Sequence, residues 1–279
     1  MCKLAGFKDG TFNVVRAVTT SEREIALRSL AAIDKFDIEQ QLWLLAKLNQ
    51  LEFTQGLEGD SERLRSAGMA GRAEILRLRF SVNRRLLNFL SSMRAYIDQS
   101  EHLLSKKFGR DSAEFRAFKE LQNTEYDNRF EYRFAYHLRN YVVHVESPIS
   151  NISVSFGVDH QETRSFELRV EIDPDELLKS GYEWNSTVRS DLQRLTEPIN
   201  LLGLVAAAGL SLDALGACRI SLESAPAIEA LRYLDKFAAE VGAGWYPCLL
   251  PEKFPEQGGH RIEWFPMESL QMLRMSLRM

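Results

Sequence analysis

The sequence predicts a mainly α protein: a helical bundle, a small inserted β-hairpin and a further helical C-terminal half. Three observations predict it. Apolar residues recur at three- and four-residue steps over most of residues 21–148, strict alternation follows Pro148, and helical spacing resumes after Asp173. The 279 residues, 45% hydrophobic and 27% charged, have the balance of a globular chain and exclude a disordered or fibrous one. The expected organisation is an N-terminal segment (1–20), a helical core (21–148) and a hairpin-plus-helix region (149–279), with no strong linker to mark a boundary.

Ser21 with Glu24 makes a capping-box pattern ahead of Ile25, Leu27, Leu30, Ile33 and Phe36, and the pattern resumes through Leu42, Leu45, Leu48 and Leu51. This is one long helix or a helix pair, ended by Gly56 and Gly59. A second long helix carries Ile75, Leu78, Val82, Leu86, Phe89, Met93 and Ile97 on one stripe. Its other faces hold Arg72, Arg77, Arg79, Arg84, Arg85 and Arg94, either solvated or facing phosphate. Gly109 and Arg110 break it, and Asp111 with Glu114 caps a third stretch that runs toward His144, with an interruption near Asn123 to Asn128 and a stop at Pro148.

Ile152, Val154, Phe156 and Val158, then Phe166, Leu168, Val170 and Ile172, alternate as the two strands of a hairpin. Asp173, Pro174 and Glu176 open another helix, and helical spacing covers about Val188 to Cys218 and Ala225 to Val241, the latter ending at Gly242. Two short strands, Tyr246 to Leu250 and His260 to Phe265, and a terminal Met- and Leu-rich helix complete the chain. The longest apolar stretch, Ile199 to Leu212, falls short of the roughly 20 residues that span a bilayer and reads as a core helix.

The net charge of −4 excludes a uniformly basic nucleic-acid coat, but the charge is uneven: residues 60–144 carry 16 Lys and Arg against 11 Asp and Glu. Three cysteines without C-x-x-C spacing fit neither a disulfide framework nor a zinc site. Residues 1–10 lack an apolar run of signal-peptide length, so a cytoplasmic protein without a membrane partner is expected. Phosphate-loop, G-x-S-x-G, H-E-x-x-H and EF-hand signatures are absent. Asp159, His160 and Glu162 fall at the expected hairpin tip, where a polar turn is expected rather than a metal site.

One segment stands out chemically: Tyr136-His137-Leu138-Arg139-Asn140-Tyr141-Val142-Val143-His144, at the end of the third helical stretch and inside the basic region. Arg139-Asn140-Tyr141-Val142-Val143-His144 resembles the signature of the HEPN superfamily, the higher-eukaryote and prokaryote nucleotide-binding domains, in which Arg and a polar residue precede a short gap and His. The resemblance covers about Ser61 to Pro148 and implies an HEPN-like bundle.

It also implies a metal-independent endoribonuclease without a cofactor, with Arg139, Asn140 and His144 as catalytic residues. RNA carries its own nucleophile, the 2′-hydroxyl, so cleavage needs a base, a proton for the leaving oxygen and charge support at the phosphate. Imidazole suits proton transfer near neutral pH and guanidinium suits phosphate oxygens. Asn140 and His144, four residues apart, share a helix face, so the amide is placed to orient the imidazole or hold a ribose hydroxyl. Arg139 lies about 140° away on an ideal helix and must curl back, unless the helix ends near Val143.

Arg133 and His137 lie on nearly the same face as Asn140 and His144 and are expected substrate-binding residues. Phe134, Leu138 and Tyr141 form the opposing core face. The resemblance further implies RNA as partner, a two-fold homodimer in which two motifs meet, and a bacterial toxin or phage-defence role with an antitoxin or regulatory partner. The alternatives are a non-catalytic HEPN-like module that binds RNA or protein, and a helical scaffold in which the motif arises by chance.

Overall fold

A computed structural model describes residues 2–68, 71–158, 164–251 and 262–276. The chain is mainly helical with two small antiparallel sheets, and it forms two compact units: Met1–Gln41 with Arg219–Met279, and Leu42–Cys218. Helices α1 (Thr20–Ala67) and α7 (Leu201–Glu223) contribute residues to both.

The first unit contains a sheet that the sequence reading did not anticipate. Strands β1 (Cys2–Lys8) and β2 (Thr11–Val18) form a hairpin whose two-residue loop, Asp9-Gly10, has φ of 48° and 79°. Asp-Gly is the residue pair such a tight turn favours, so the signal was present at positions 9 and 10. Strands β6 (Tyr246–Pro251) and β7 (Glu263–Trp264) complete the order β2-β1-β6-β7. Leu4, Val18 and Leu249 pack from the sheet into a core shared with Ala26, Leu30 and Ile33 of α1 and with Leu231, Leu234 and Phe237 of α8 (Ala225–Val241). Helix α9 (Met267–Ser276) follows, and Leu270 is buried in the same core. His260 lies outside the described residues.

The expected cap of the first helix shifts by two residues. The Thr19 hydroxyl accepts from the Glu22 amide at 3.2 Å while the Glu22 carboxylate accepts from the Thr19 amide at 2.8 Å, a reciprocal box. These bonds, the Thr19 backbone amide first and then Arg16, hold the Glu22 carboxyl at about 2. Nor does the helix stop at Gly56 and Gly59: α1 runs through both. At Gly56 an added Cβ would lie 1.6 Å from Arg85 Nη1, so the missing side chain admits the guanidinium of α2 (Arg72–Phe108), which pairs with Asp60. Packing between helices, rather than helix termination, explains that glycine.

In the second unit the α2 stripe is buried as expected from Leu78 through Ile97. Its arginines divide. Arg85 is buried on Asp60, Arg84 pairs with Glu52, Arg94 with Asp98, and Arg79 donates to the carbonyls of Ile149 and Ser150, whereas Arg72 and Arg77 are exposed. Gly109, at φ 92°, ends α2, and Ser112, one residue past the expected Asp111, caps α3 (Ala113–Asn128) by accepting from the Phe115 amide at 3.1 Å. Arg129 breaks the third stretch, and α4 (Phe130–His144) follows.

The hairpin forms from β3 (Asn151–Val158) and β4 (Arg164–Ile172), with Ile152 opposite Val170, Val154 opposite Leu168 and Phe156 opposite Phe166. Asp159, His160 and Glu162 lie outside the described residues. Asp173 caps α5 (Pro174–Lys179) by accepting from the Asp175 amide at 2.8 Å. The run expected as helical from Val188 instead splits. Helix α6 (Ser186–Arg194) ends before Pro198, and β5 (Ile199–Asn200) pairs with Ile172 and Glu171 before α7 starts. Proline removes an amide donor and disfavours helix at the residue before it, which accounts for the break. Helix α7, 23 residues, is by length and composition apolar enough to cross a membrane, and half of its most apolar stretch is buried.

Candidate active site at the end of α4

Helix α4 owes its position to one heavily buried face: Tyr132, Phe134, Ala135, Leu138 and Tyr141 recur at helical spacing and pack within the unit. Full burial of such large apolar side chains contributes roughly 1.5–3 kcal/mol each. The Trp184 ring stacks on Tyr141 with centroids 5.3 Å apart, contacts Phe134 at 5.8 Å, and donates its indole N–H to the Leu177 carbonyl at 3.2 Å. With that face fixed, the other side of α4 carries Arg133, His137, Asn140 and His144.

His144 is the last helical residue and is exposed. The Val145 amide closes the helix by donating to the Tyr141 carbonyl at 2.8 Å. The departing chain is then fastened: Tyr141 donates to Glu146 at 3.2 Å, Ser147 donates to Asn83 Oδ1 at 2.7 Å, and Arg79 grips the Ile149 and Ser150 carbonyls. The helix therefore runs through His144 rather than stopping at Val143, so Arg139 and His144 stay on the same helical element.

Arg139 and Asn140 are in direct contact, with Arg139 Nη1 donating to Asn140 Oδ1 at 3.2 Å. Arg139 Nε is buried and has no hydrogen-bond partner among the described residues. A buried guanidinium N–H without a partner carries a desolvation cost. Asn140 and His144, one turn apart, make no hydrogen bond with each other among the described residues, which leaves the imidazole open to solvent.

The two expected substrate-binding residues sit differently. Arg133 donates from Nε to Asp191 of α6 at 2.6 Å and from Nη1 to the carbonyls of Tyr126 and Asp127 at 3.0 and 3.1 Å. Those carbonyls belong to the last turn of α3, which lacks intrahelical donors, so Arg133 caps one helix from another. Asp191, 58 residues further on, gives no signal in the local sequence. His137 Nε2 bonds the Tyr126 hydroxyl at 2.8 Å, and burial, followed by the Arg94 charge, lowers its pKa.

Among the described residues no cluster of three or more His, Cys, Asp or Glu is placed to hold a metal ion. No protein-family model, curated protein or solved structure matches the chain.

Proposed function

We propose that the chain is a metal-independent endoribonuclease of HEPN type, with α2, α3 and α4 as its HEPN-like bundle. The observation that carries this reading is the group at the end of α4: an exposed His144 one turn from an Arg139–Asn140 contact. His144 removes the proton from a ribose 2′-hydroxyl, and the 2′-oxygen attacks the adjacent phosphorus. The bond to the 5′-oxygen breaks, a proton goes to that oxygen, and the products are a 2′,3′-cyclic phosphate and a 5′-hydroxyl. Arg139 stabilises the charge that builds on the phosphate, and Asn140 orients Arg139.

The second proton transfer needs a second acid. A two-fold homodimer supplies it, because a C2 axis near the end of α4 brings the His144 of each copy to one phosphate. The resemblance supports a role as a toxin or phage-defence effector held by an antitoxin or regulatory partner. A second reading, a non-catalytic RNA-binding module, is favoured by one observation: the other histidine of this face, His137, is turned away into a hydrogen bond with Tyr126.

Incubation of the full chain with single-stranded and structured RNA in chelator, beside His144→Ala, separates the two. Cleavage that leaves cyclic phosphate and is lost in the variant is the expected result. Cleavage undiminished by His144→Ala refutes the assignment, and RNA binding without cleavage by either protein selects the second reading.

A further inference from the structure

Between α3 and α4 lies a recess of about 310 Å³, lined by Gln122, Asn123, Tyr126, Tyr132, Tyr136 and His137. Its volume falls at the small end of the range that ligand sites occupy, about 300–1,000 Å³. Tyr126 and Tyr136 meet edge to face with centroids 6.3 Å apart, and the Arg94 guanidinium covers one face of Tyr136 at 3.8 Å. Tyr132 is 1% exposed, and its hydroxyl is buried beneath the recess. Its near polar neighbour is Gln122, whose amide oxygen accepts from Lys119 at 2.7 Å. Asn123 stands exposed at the rim.

The charges around the recess restrict what it can hold. Arg94 is paired with Asp98, Lys119 with Glu101 at 2.8 Å and Arg133 with Asp191, so these cations are already neutralised. Burial favours the uncharged form of His137. No carboxylate lines the wall. Among the described residues an anion would find no free counter-charge and a cation no carboxylate, and an apolar ligand would leave the Asn123 amide at the rim without a partner. What fits is a neutral, flat ring with hydrogen-bonding edges.

We propose that this recess receives one unstacked nucleobase, set against the edge-to-face pair Tyr126 and Tyr136 and met at its edge by Asn123. The identity of the polymer rests on the RNA reading above; the base site itself does not. His137 and His144 are seven residues apart on one face of α4, about 10 Å along its axis, so the base would belong to a nucleotide near the scissile phosphate. Single-stranded RNA is recognised through splayed bases on aromatic side chains, and the recess would thereby set a base preference for the cut.

The test uses the full chain and the four uncharged nucleosides, adenosine, guanosine, cytidine and uridine, followed by calorimetry and saturation-transfer NMR. At least one should bind with a dissociation constant of about 1 mM or tighter. Asn123→Ala should weaken it about 3- to 10-fold, the loss of one hydrogen bond. Asn123→Trp, which fills the recess from its exposed rim, should abolish it, and Arg139→Ala should leave it unchanged. Absence of binding by every nucleoside up to about 10 mM overturns the proposal, as does binding that survives Asn123→Trp. Nucleosides have no phosphodiester to cut, so this outcome and that of the cleavage assay are independent.

Discussion

Arg133→Ala distinguishes a residue that holds the fold from one that holds RNA. The side chains of Arg133 and Asp191 are 11% and 13% exposed, and the 2.6 Å bond between them is charge-assisted. Losing such a bond costs about 1.5–3 kcal/mol, and the substitution also strips two donors from the last turn of α3. Among the described residues Asp191 then retains only Arg194, 4.0 Å away and largely exposed. We expect a total loss of about 3 kcal/mol, which in a unit of this size lowers Tm by about 6–12 °C. The assay is thermal unfolding by circular dichroism, paired with single-stranded RNA affinity measured below the transition over a range of salt. Affinity and its salt dependence should be unchanged, because a guanidinium engaged with Asp191 and two carbonyls releases no counterion on RNA binding. An unchanged Tm together with weaker, less salt-dependent RNA binding would refute the reasoning and return Arg133 to the substrate.

Gly56→Ala should destabilise the chain by about 3 kcal/mol, against the gain of about 1 kcal/mol usual for this change inside a helix, because the new Cβ expels Arg85 from Asp60; Gly56→Ala with Arg85→Met should recover most of the loss in thermal unfolding. His137 has a lowered folded-state pKa, so below about pH 6.5 the unfolded chain takes up the proton first and stability falls as pH drops; His137→Gln should flatten Tm against pH over that window, and an unaltered slope would contradict its burial. Glu22, held at about 2, contributes stability that is complete above the ordinary carboxylate range and is lost as pH falls toward 2; Glu22→Gln should lower Tm at neutral pH and narrow its difference from the parent chain in acid.

Much of the helical architecture was legible because one-dimensional periodicity reports burial directly. Leu78 through Ile97 and the alternation around Ile152 to Ile172 each fold as their spacing predicts. What escaped depends on partners distant in the chain. The sheet of β1 is completed by β6 from the far end of the sequence, so the Asp9-Gly10 turn was its local signal. Gly56 resembled a terminator until Arg85 appeared across from it. The candidate site was legible in the same uneven way. The positions of Arg139, Asn140 and His144 at a helix end followed from the motif and from Pro148, whereas the capture of Arg133 by Asp191 and the recess beside His137 depend on how α3, α4 and α6 meet.

The placement of β1 also has a consequence for biosynthesis. Its register with β6 joins Ala5 to Cys248, 243 positions later, so β1 leaves the ribosome well ahead of its partner. At about 5–20 residues per second that delay is roughly 10–50 s. The unit Leu42–Cys218 is unbroken in sequence, and all of it, including the end of α4, is synthesised before β6 exists. During that interval β1 has β2 but not β6 beside it, so one strand edge and the core residues Cys2 and Leu4 wait for the C-terminal part of their unit.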